Sequence, residues 1–272
     1  MKLSALIGSL LLVWFSNISH AQPAKSISYC DHASYPPLSW LNGNQLAGVT
    51  KDIIQHVFKE QNYQVTLYVL ESWKRCMLEV EKGTIDVAVA FKTLQRSKSF
   101  AFSQEYLIEE NIAIFVNKNN SFNFDSWQDL QGKRGGMVLG YSYGDELDHF
   151  LASNTIIERV SSNFQNITKL ALNRIDFMPF ERDSGLLQVQ THGYESVIVP
   201  LEKHATTDYL YLTTAINNQK ILQLMPQLDK SIKALKDSNA IARFTQKSRQ
   251  QYLLAYPKGS SLRPQPPADI QL

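Results

Sequence analysis

Gly83-Thr84-Ile85-Asp86-Val87-Ala88-Val89-Ala90-Phe91 is the stretch on which the reading of the fold turns. Gly83 closes a helix-period segment, because a residue without Cβ takes up the left-handed backbone that ends a helix. Ile85 to Phe91 is an apolar run of strand length with no polar alternation, the pattern of a strand buried on both faces of its sheet. Working upstream, Ser72 reads as the N-cap of a helix with Trp73, Cys76, Met77 and Val80 at i, i+3, i+4 and i+7. Gln64 to Leu70 alternates as a strand, Thr50 reads as the cap of a helix that gathers Ile53, Ile54, Val57 and Phe58 on one face, and Ser26 to Cys30 is a short strand. Downstream, strands are expected near Ile112–Val116, Gly135–Leu139, Ile156–Val160, Ile175–Phe180 and Val197–Val199, with helices between them. This alternation predicts an α/β protein with mostly parallel sheets. Asn173-Arg174-Ile175-Asp176 repeats the helix-stop, strand-start pattern of Gly83–Asp86. Two similar lobes account for the echo, and so does a common way of beginning a strand. The hydrophilic segment Asn117 to Asp125 is expected to link the lobes or edge one of them.

Composition narrows the function classes. The chain has 272 residues, is 44% hydrophobic and 19% charged, and carries a net charge of +2, so it folds and has no electrostatic case for nucleic acid. Two cysteines are too few for a disulfide scaffold or a cysteine-rich zinc module, and the six histidines form no His-x-x-x-His pair. No metal and no cofactor is expected, and a monomer is. Met1, Lys2, the apolar run Leu3–Phe15 and Ser19-His20-Ala21 have the form of a signal peptide, residues 1–21, cleaved after Ala21. The run is shorter than the ~20 apolar residues a membrane span takes, and no Cys follows it for lipid attachment, so a soluble protein outside the cytoplasm is expected. Residues 257–272 hold four prolines and read as a flexible tail. Export places Cys30 and Cys76 in an oxidising compartment, where they pair or remain two buried thiols.

Several residues carry chemistry. Gly140-Tyr141-Ser142-Tyr143-Gly144 fits G-x-S-x-G, with a strand before it, a helix from about Asp145 to Ala152 after it, and Asp176 or Asp183 then His192 or His204 in the order of a hydrolase triad. The same turn serves equally as an anion site whose backbone N–H groups open a helix. Arg96 follows directly on a buried strand, where a guanidinium binds a carboxylate through two parallel hydrogen bonds or pairs with a surface acid. Glu181, at the carboxyl end of the strand Ile175–Phe180, suits a ligand ammonium, general-acid work, or the N-terminus of a helix. Trp73 and Tyr35 stack on a ligand or fill the core.

Together, Tyr35-Pro36-Pro37-Leu38-Ser39-Trp40, Gly48-Val49-Thr50-Lys51-Asp52-Ile53, Trp73, Gly83–Asp86, Arg96 with Phe102-Ser103, and Leu130-Gln131-Gly132-Lys133 onward to Gly140 resemble the family 3 extracellular solute-binding proteins. These are periplasmic polar amino-acid receptors of ABC importers, and the resemblance runs from about Ile27 to Leu253. It implies a two-lobed type II periplasmic-binding fold with two hinge crossings: lobe 1 at 22–107 plus 207–256, lobe 2 at 108–206, and a ligand caught between them as the hinge closes. By the same resemblance Arg96 clamps the ligand carboxylate and Ser142 assists it, with Tyr143 beside it in the turn. Glu181 receives the ammonium, and Trp73 and Tyr35 line the side-chain pocket. Arg75, in a Trp73-Lys74-Arg75-Cys76 segment that resembles a less characterised branch, adds charge near the cleft or faces solvent. Cys30 and Cys76 fall on elements that approach the cleft in such a fold. The implied partners are a small carboxylate ligand, first an amino acid, and an ABC permease or a sensor. Two departures stand out. Ala88, Val89 and Phe91 replace small polar residues, and Glu181 replaces the usual Asp, which is also a feature of cyclohexadienyl dehydratases, where that Glu is an acid catalyst.

Overall fold

Residues 25–258 are described by the computed structural model; the expected signal peptide with its cleavage after Ala21, and the expected tail from 259 onward, lie outside them. The first half contains β1 (Lys25–Asp31), β2 (Ser34–Tyr35), β3 (Ser39–Asn42), β4 (Gln45–Ala47), α1 (Val49–Glu60), β5 (Tyr63–Val69), α2 (Trp73–Glu81) and β6 (Ala88–Phe91). There follow β7 (Phe100–Asn117), β8 (Arg134–Val138), α3 (Asp145–Asn154), β9 (Ile156–Val160), α4 (Asn163–Ala171), β10 (Met178–Glu181), α5 (Arg182–Thr191), β11 (Ile198–Ala215), α6 (Gln219–Asp237) and α7 (Ala240–Ala255).

Local signals set α2. Ser72 Oγ accepts the Arg75 N–H at 3.2 Å, and Gly83, at φ +76°, lets the chain fold back so that Thr84 N reaches Glu79 O at 3.1 Å. α1 begins earlier than its sequence suggests, at Val49, with Gly48 in the cap position instead of Thr50. The reason is tertiary. The helix N-terminus is pressed against the chain at Pro37–Leu38, a Cβ on Gly48 would lie 2.0 Å from Leu38 O, and the Thr50 hydroxyl donates to that same carbonyl at 2.8 Å.

β1 and β5 pair in parallel, and Val87 bridges to Tyr29 in parallel just before β6. β8 and β9 repeat this arrangement in the second half, with Phe177 bridging to Gly135 before β10. The parallel expectation holds within each half. Between them lies an antiparallel sheet in the order β10-β7-β11-β6, because β7 and β11 run against each other from Phe100↔Ala215 to Asn117↔Ile198. β6 pairs with one end of β11 and β10 with the other end of β7, so these two strands carry the chain from one half to the other. The link is therefore β7 itself. The segment Asn117 to Asp125, expected to link the lobes or edge one of them, starts at the last residue of that strand.

Cys30 of β1 and Cys76 of α2 are joined by a disulfide, with their Cα atoms 5.8 Å apart. Around it Trp73, Val80, Ile85, Ala88 and Phe100 form one apolar cluster, while Ile53, Ile54, Val57 and Phe58 seat α1 in a larger one. Ile167, Leu170, Phe115 and Phe180 build the core of the second half. Burial of these faces is the main drive that orders the elements bearing the site.

Candidate functional site

The carboxyl ends of β1, β6 and β8 face one cavity whose wall contains Asp31, His32, Tyr35, Trp73, Arg96, Tyr141, Ser142 and Tyr143. Ligand groups in α/β sheets gather at such strand ends. Arg96 opens a 3-10 turn just beyond β6; its backbone N–H is held by Thr93 Oγ1 at 3.1 Å. The guanidinium donates from Nη1 to Phe91 O at 2.8 Å and from Nη2 to Gly140 O at 3.0 Å, which lies in the other half. Among the described residues no carboxylate forms an ion pair with it. Burial lowers its pKa to about 10, against the pull of Asp148, Asp208 and Asp145, so it remains charged at neutral pH.

The turn after β8 faces Arg96. Ser142 Oγ donates to Asp148 Oδ2 at 2.5 Å and accepts the Gly144 N–H at 3.3 Å, while Tyr143 N donates to Asp148 Oδ1 at 2.9 Å. The hydroxyl is committed to a carboxylate of α3 and not to an imidazole, so the geometry of a serine nucleophile is not formed. Tyr143 is buried, and desolvation pushes its phenol well above the ordinary value.

Three residues that the sequence did not flag complete the wall. His32 Nδ1 meets Asp31 Oδ1 at 3.0 Å and its Nε2 meets the Tyr141 hydroxyl at 2.5 Å, so a hydrogen-bonded chain crosses the cleft from the end of β1 to the turn after β8. The ring also lies 5.7 Å from Trp73. Burial works to raise the Asp31 carboxyl, yet its bonds to His32 and Tyr29 hold it below the usual range. A signal was available: Asp31-His32 stands directly at the carboxyl end of the first strand.

Tyr35 and Trp73 reach the cavity; Glu181 and Arg75 do not line it. Glu181 caps α5, accepting the Asp183 N–H at 2.9 Å and the Ser184 N–H at 2.6 Å. Its burial raises its pKa to about 7 in spite of those bonds. Behind Tyr35 lies Glu110, which accepts the Tyr35 hydroxyl at 2.6 Å and is pushed up by burial and by the charge of Glu181. Arg75 is 55% exposed and lies 3.4 Å from Glu79 on its own helix.

A positively charged fork between two α/β halves, in a cleft walled by aromatic rings, is the architecture of a receptor for small solutes, and residues 27–251 match the bacterial extracellular solute-binding proteins, family 3. The chain belongs to that family. A curated relative, the L-cystine-binding protein TcyJ of Escherichia coli (strain K12), is 28% identical over 117 residues, 42% of this chain. The match spans only 43% of that protein's length. Among solved structures, the amino acid ABC transporter substrate-binding protein AbpA from Streptococcus pneumoniae, bound to L-arginine, is 21% identical, covers 84% of this chain and 95% of its own, and superposes with a TM-score of 0.70. The GluR0 ligand-binding core with L-glutamate is 16% identical at 0.69, covering 84% and 98%. A mutant of ArgBP from T. maritima is 16% identical at 0.69, covering 83% and 95%. At these identities the likeness establishes the two-lobed fold. Among the described residues no helix is long and apolar enough to cross a membrane, and no three His, Cys, Asp or Glu side chains gather as a metal site.

Proposed function

We propose that this family member binds a small carboxylate-bearing solute outside the cytoplasm, with amino acids the first class to test, and hands it to an ABC permease or a sensor. The observation that carries the reading is Arg96: a partly buried cation on the cleft wall, held by two neutral carbonyls and paired with no carboxylate of the described residues. Such a group binds an incoming carboxylate strongly because the cost of burying its charge has already been met by the fold. In this reading Trp73, Tyr35 and Tyr143 enclose the solute, Ser142 shapes the anion-binding turn, and the lobes are 22–107 with 207–256, and 108–206. Export in mature form from Gln22 completes it, and the N-terminus of protein secreted by its host tests that. The binding reading is tested by calorimetry with a panel of amino acids and simple carboxylates, together with mass spectrometry of any molecule that copurifies. Saturable binding that weakens in Arg96→Lys supports it; equal affinity of both proteins for every bound acid overturns it.

Glu181, with its pKa near 7, is the observation that favours a dehydratase. Each of its oxygens already holds an N–H of α5, and it stands off the cavity wall. Purified protein is expected to leave prephenate and arogenate unconverted; turnover lost in Glu181→Gln would establish the enzyme instead.

A further inference from the structure

Two buried acids stand side by side where the halves meet. Glu110 lies on β7 and Glu181 ends β10; because Glu181 pairs with Ile112, two residues beyond Glu110, both side chains leave the same face of the sheet as diagonal neighbours. Among the described residues neither forms an ion pair. Glu110 accepts the Tyr35 hydroxyl at 2.6 Å, and Glu181 accepts the N–H groups of Asp183 and Ser184. The charges around the pair are mostly negative. Asp183 of α5 acts on both acids, Asp208 of β11 is the ladder partner of Glu110, and Arg249 of α7, an exposed cation, acts on Glu181. The phenols of Tyr35 and Tyr141 complete the surroundings of Glu110, from β2 and from the turn after β8. Burial and the charge of Glu181 push Glu110 well above its ordinary value, and burial brings Glu181 to about 7. Two carboxyls so placed do not both ionise readily while water is kept out.

The group that covers Glu110 comes from the other half. Tyr35 belongs to β2, yet its ring lies 5.5 Å from Phe180 and 6.1 Å from Tyr141, both of the second half, and its hydroxyl holds Glu110. The same residue lines the solute cavity. Drawing the halves apart would withdraw this ring with its hydroxyl and admit water to the acids behind it, where an ionised carboxyl is well solvated. Closed and open forms then differ in how tightly they hold a proton, and the form that holds it more tightly is favoured as the pH falls.

Resting on the reading of two lobes that close on a solute, we infer that closure takes up a proton at the Glu110–Glu181 pair, with Tyr35 as the stopper that keeps it dry, so that acid favours the closed form and rising pH releases the solute. The proton comes from solvent and returns there on opening. The first test needs no solute. Small-angle scattering of the wild type is expected to give a radius of gyration that grows from pH 5.5 to pH 8.5, as the open-to-closed ratio rises by up to about tenfold per pH unit for each proton released. The double variant Glu110→Gln with Glu181→Gln keeps the shapes and cannot titrate; with its fold checked by its melting curve, it should show one radius throughout. If it does not fold, Glu110→Gln alone decides, because Gln still accepts the Tyr35 hydroxyl and the change of radius should be smaller than in the wild type. A wild-type radius independent of pH overturns the inference. A response of the same size in the variants overturns it too, and moves the titration to other groups such as His32. Calorimetry at pH 6 and pH 8 tests the solute arm, with L-leucine, L-glutamine, L-arginine and L-glutamate, whose own charges do not change in that range. Those that bind should lose about tenfold in affinity at the higher pH. If they bind and weaken in Arg96→Lys while the radius ignores pH, the carboxylate reading stands without the proton link. If none binds while the radius follows pH in the wild type and not in the double variant, the proton link stands and the amino-acid reading falls.

Discussion

Replacing Arg96 with Lys keeps the charge but loses the planar fork that holds Phe91 O and Gly140 O while presenting further N–H groups to a ligand. Binding of a carboxylate should weaken by about 2 kcal/mol, measured by calorimetry at constant salt. Glu181 governs a different observable. Its folded pKa is raised to about 7 from 4.5, so between those values the native protein keeps a proton that the unfolded chain has released. Stability therefore falls as pH rises through that window, the reverse of a carboxylate stabilised in its charged form. Glu110 is shifted in the same direction and tilts the curve further. Melting temperatures taken from pH 4.5 to 8 should decline more steeply in the wild type than in Glu181→Gln, which cannot titrate; parallel curves would remove Glu181 as the source. At this scale the sequence offered Arg96 as a candidate because its context is local, a cation directly after a buried strand, and the structure puts it on the cavity wall. It hid the bond between His32 and Tyr141, residues 109 apart, since no spacing rule connects partners that meet only after both halves have folded. Glu181 was open to three readings, and its capping bonds became visible only with the helix geometry.

Elements differ in how far their boundaries depend on neighbours. α2 was legible because Ser72 and Gly83 act within one turn of the residues they serve. The beginning of α1 was misplaced by a hydroxyl that looks like a cap but bonds Leu38 O across the chain. β7 and β11 were seen only as the fragments Ile112–Val116 and Val197–Val199, because residues such as Gln104, Glu105, Glu109, Lys203 and His204 interrupt the apolar pattern where these strands are not covered by a core. Two stability predictions belong here. The Cys30–Cys76 bond closes a sequence separation of 46 residues, and its removal in a Cys30→Ser, Cys76→Ser variant should cost about 4 kcal/mol if restriction of the unfolded chain is its main effect. Urea unfolding of the oxidised wild type and the variant measures the difference; a gap within error would assign the bond no net role. Gly48→Ala combines a backbone at φ +129° with a Cβ 2.0 Å from Leu38 O, and should lose about 3 kcal/mol or more by the same assay. A neutral result would show that the α1 N-terminus can back away from Leu38.

For the whole molecule, the decisive feature is that bonds already cross the cleft between the halves. Arg96 reaches Gly140 O, His32 reaches Tyr141, Leu94 N reaches Asp145 Oδ2 at 2.8 Å, and Gln188 Nε2 and Asn163 Nδ2 share Ser34 O at 3.2 and 3.3 Å. In the reading proposed above, the two antiparallel strands β7 and β11, which carry the chain between the halves, are the hinge on which those bonds open. A ligand shifts such an equilibrium only by the difference in its affinity for the closed and open forms. Protein–protein bonds that favour closure leave less for the ligand to supply, so weakening one should lower apparent affinity without touching the ligand itself. Tyr141→Phe removes a single hydroxyl from the cross-cleft chain and keeps the ring that packs against Tyr35 and His32. The expected result is a larger radius of gyration by small-angle scattering in the absence of ligand, compaction restored at saturating ligand, and an affinity loss of about 1 kcal/mol. Arg96→Ala should instead fail to compact at any concentration of a carboxylate that saturates the wild type, since it loses the anchor as well as the bond to Gly140. If scattering from the wild type is identical with and without saturating ligand, while Tyr141→Phe matches it in both states, the cleft does not open and close in solution, and the His32–Tyr141 bond is fixed structure with no part in capture.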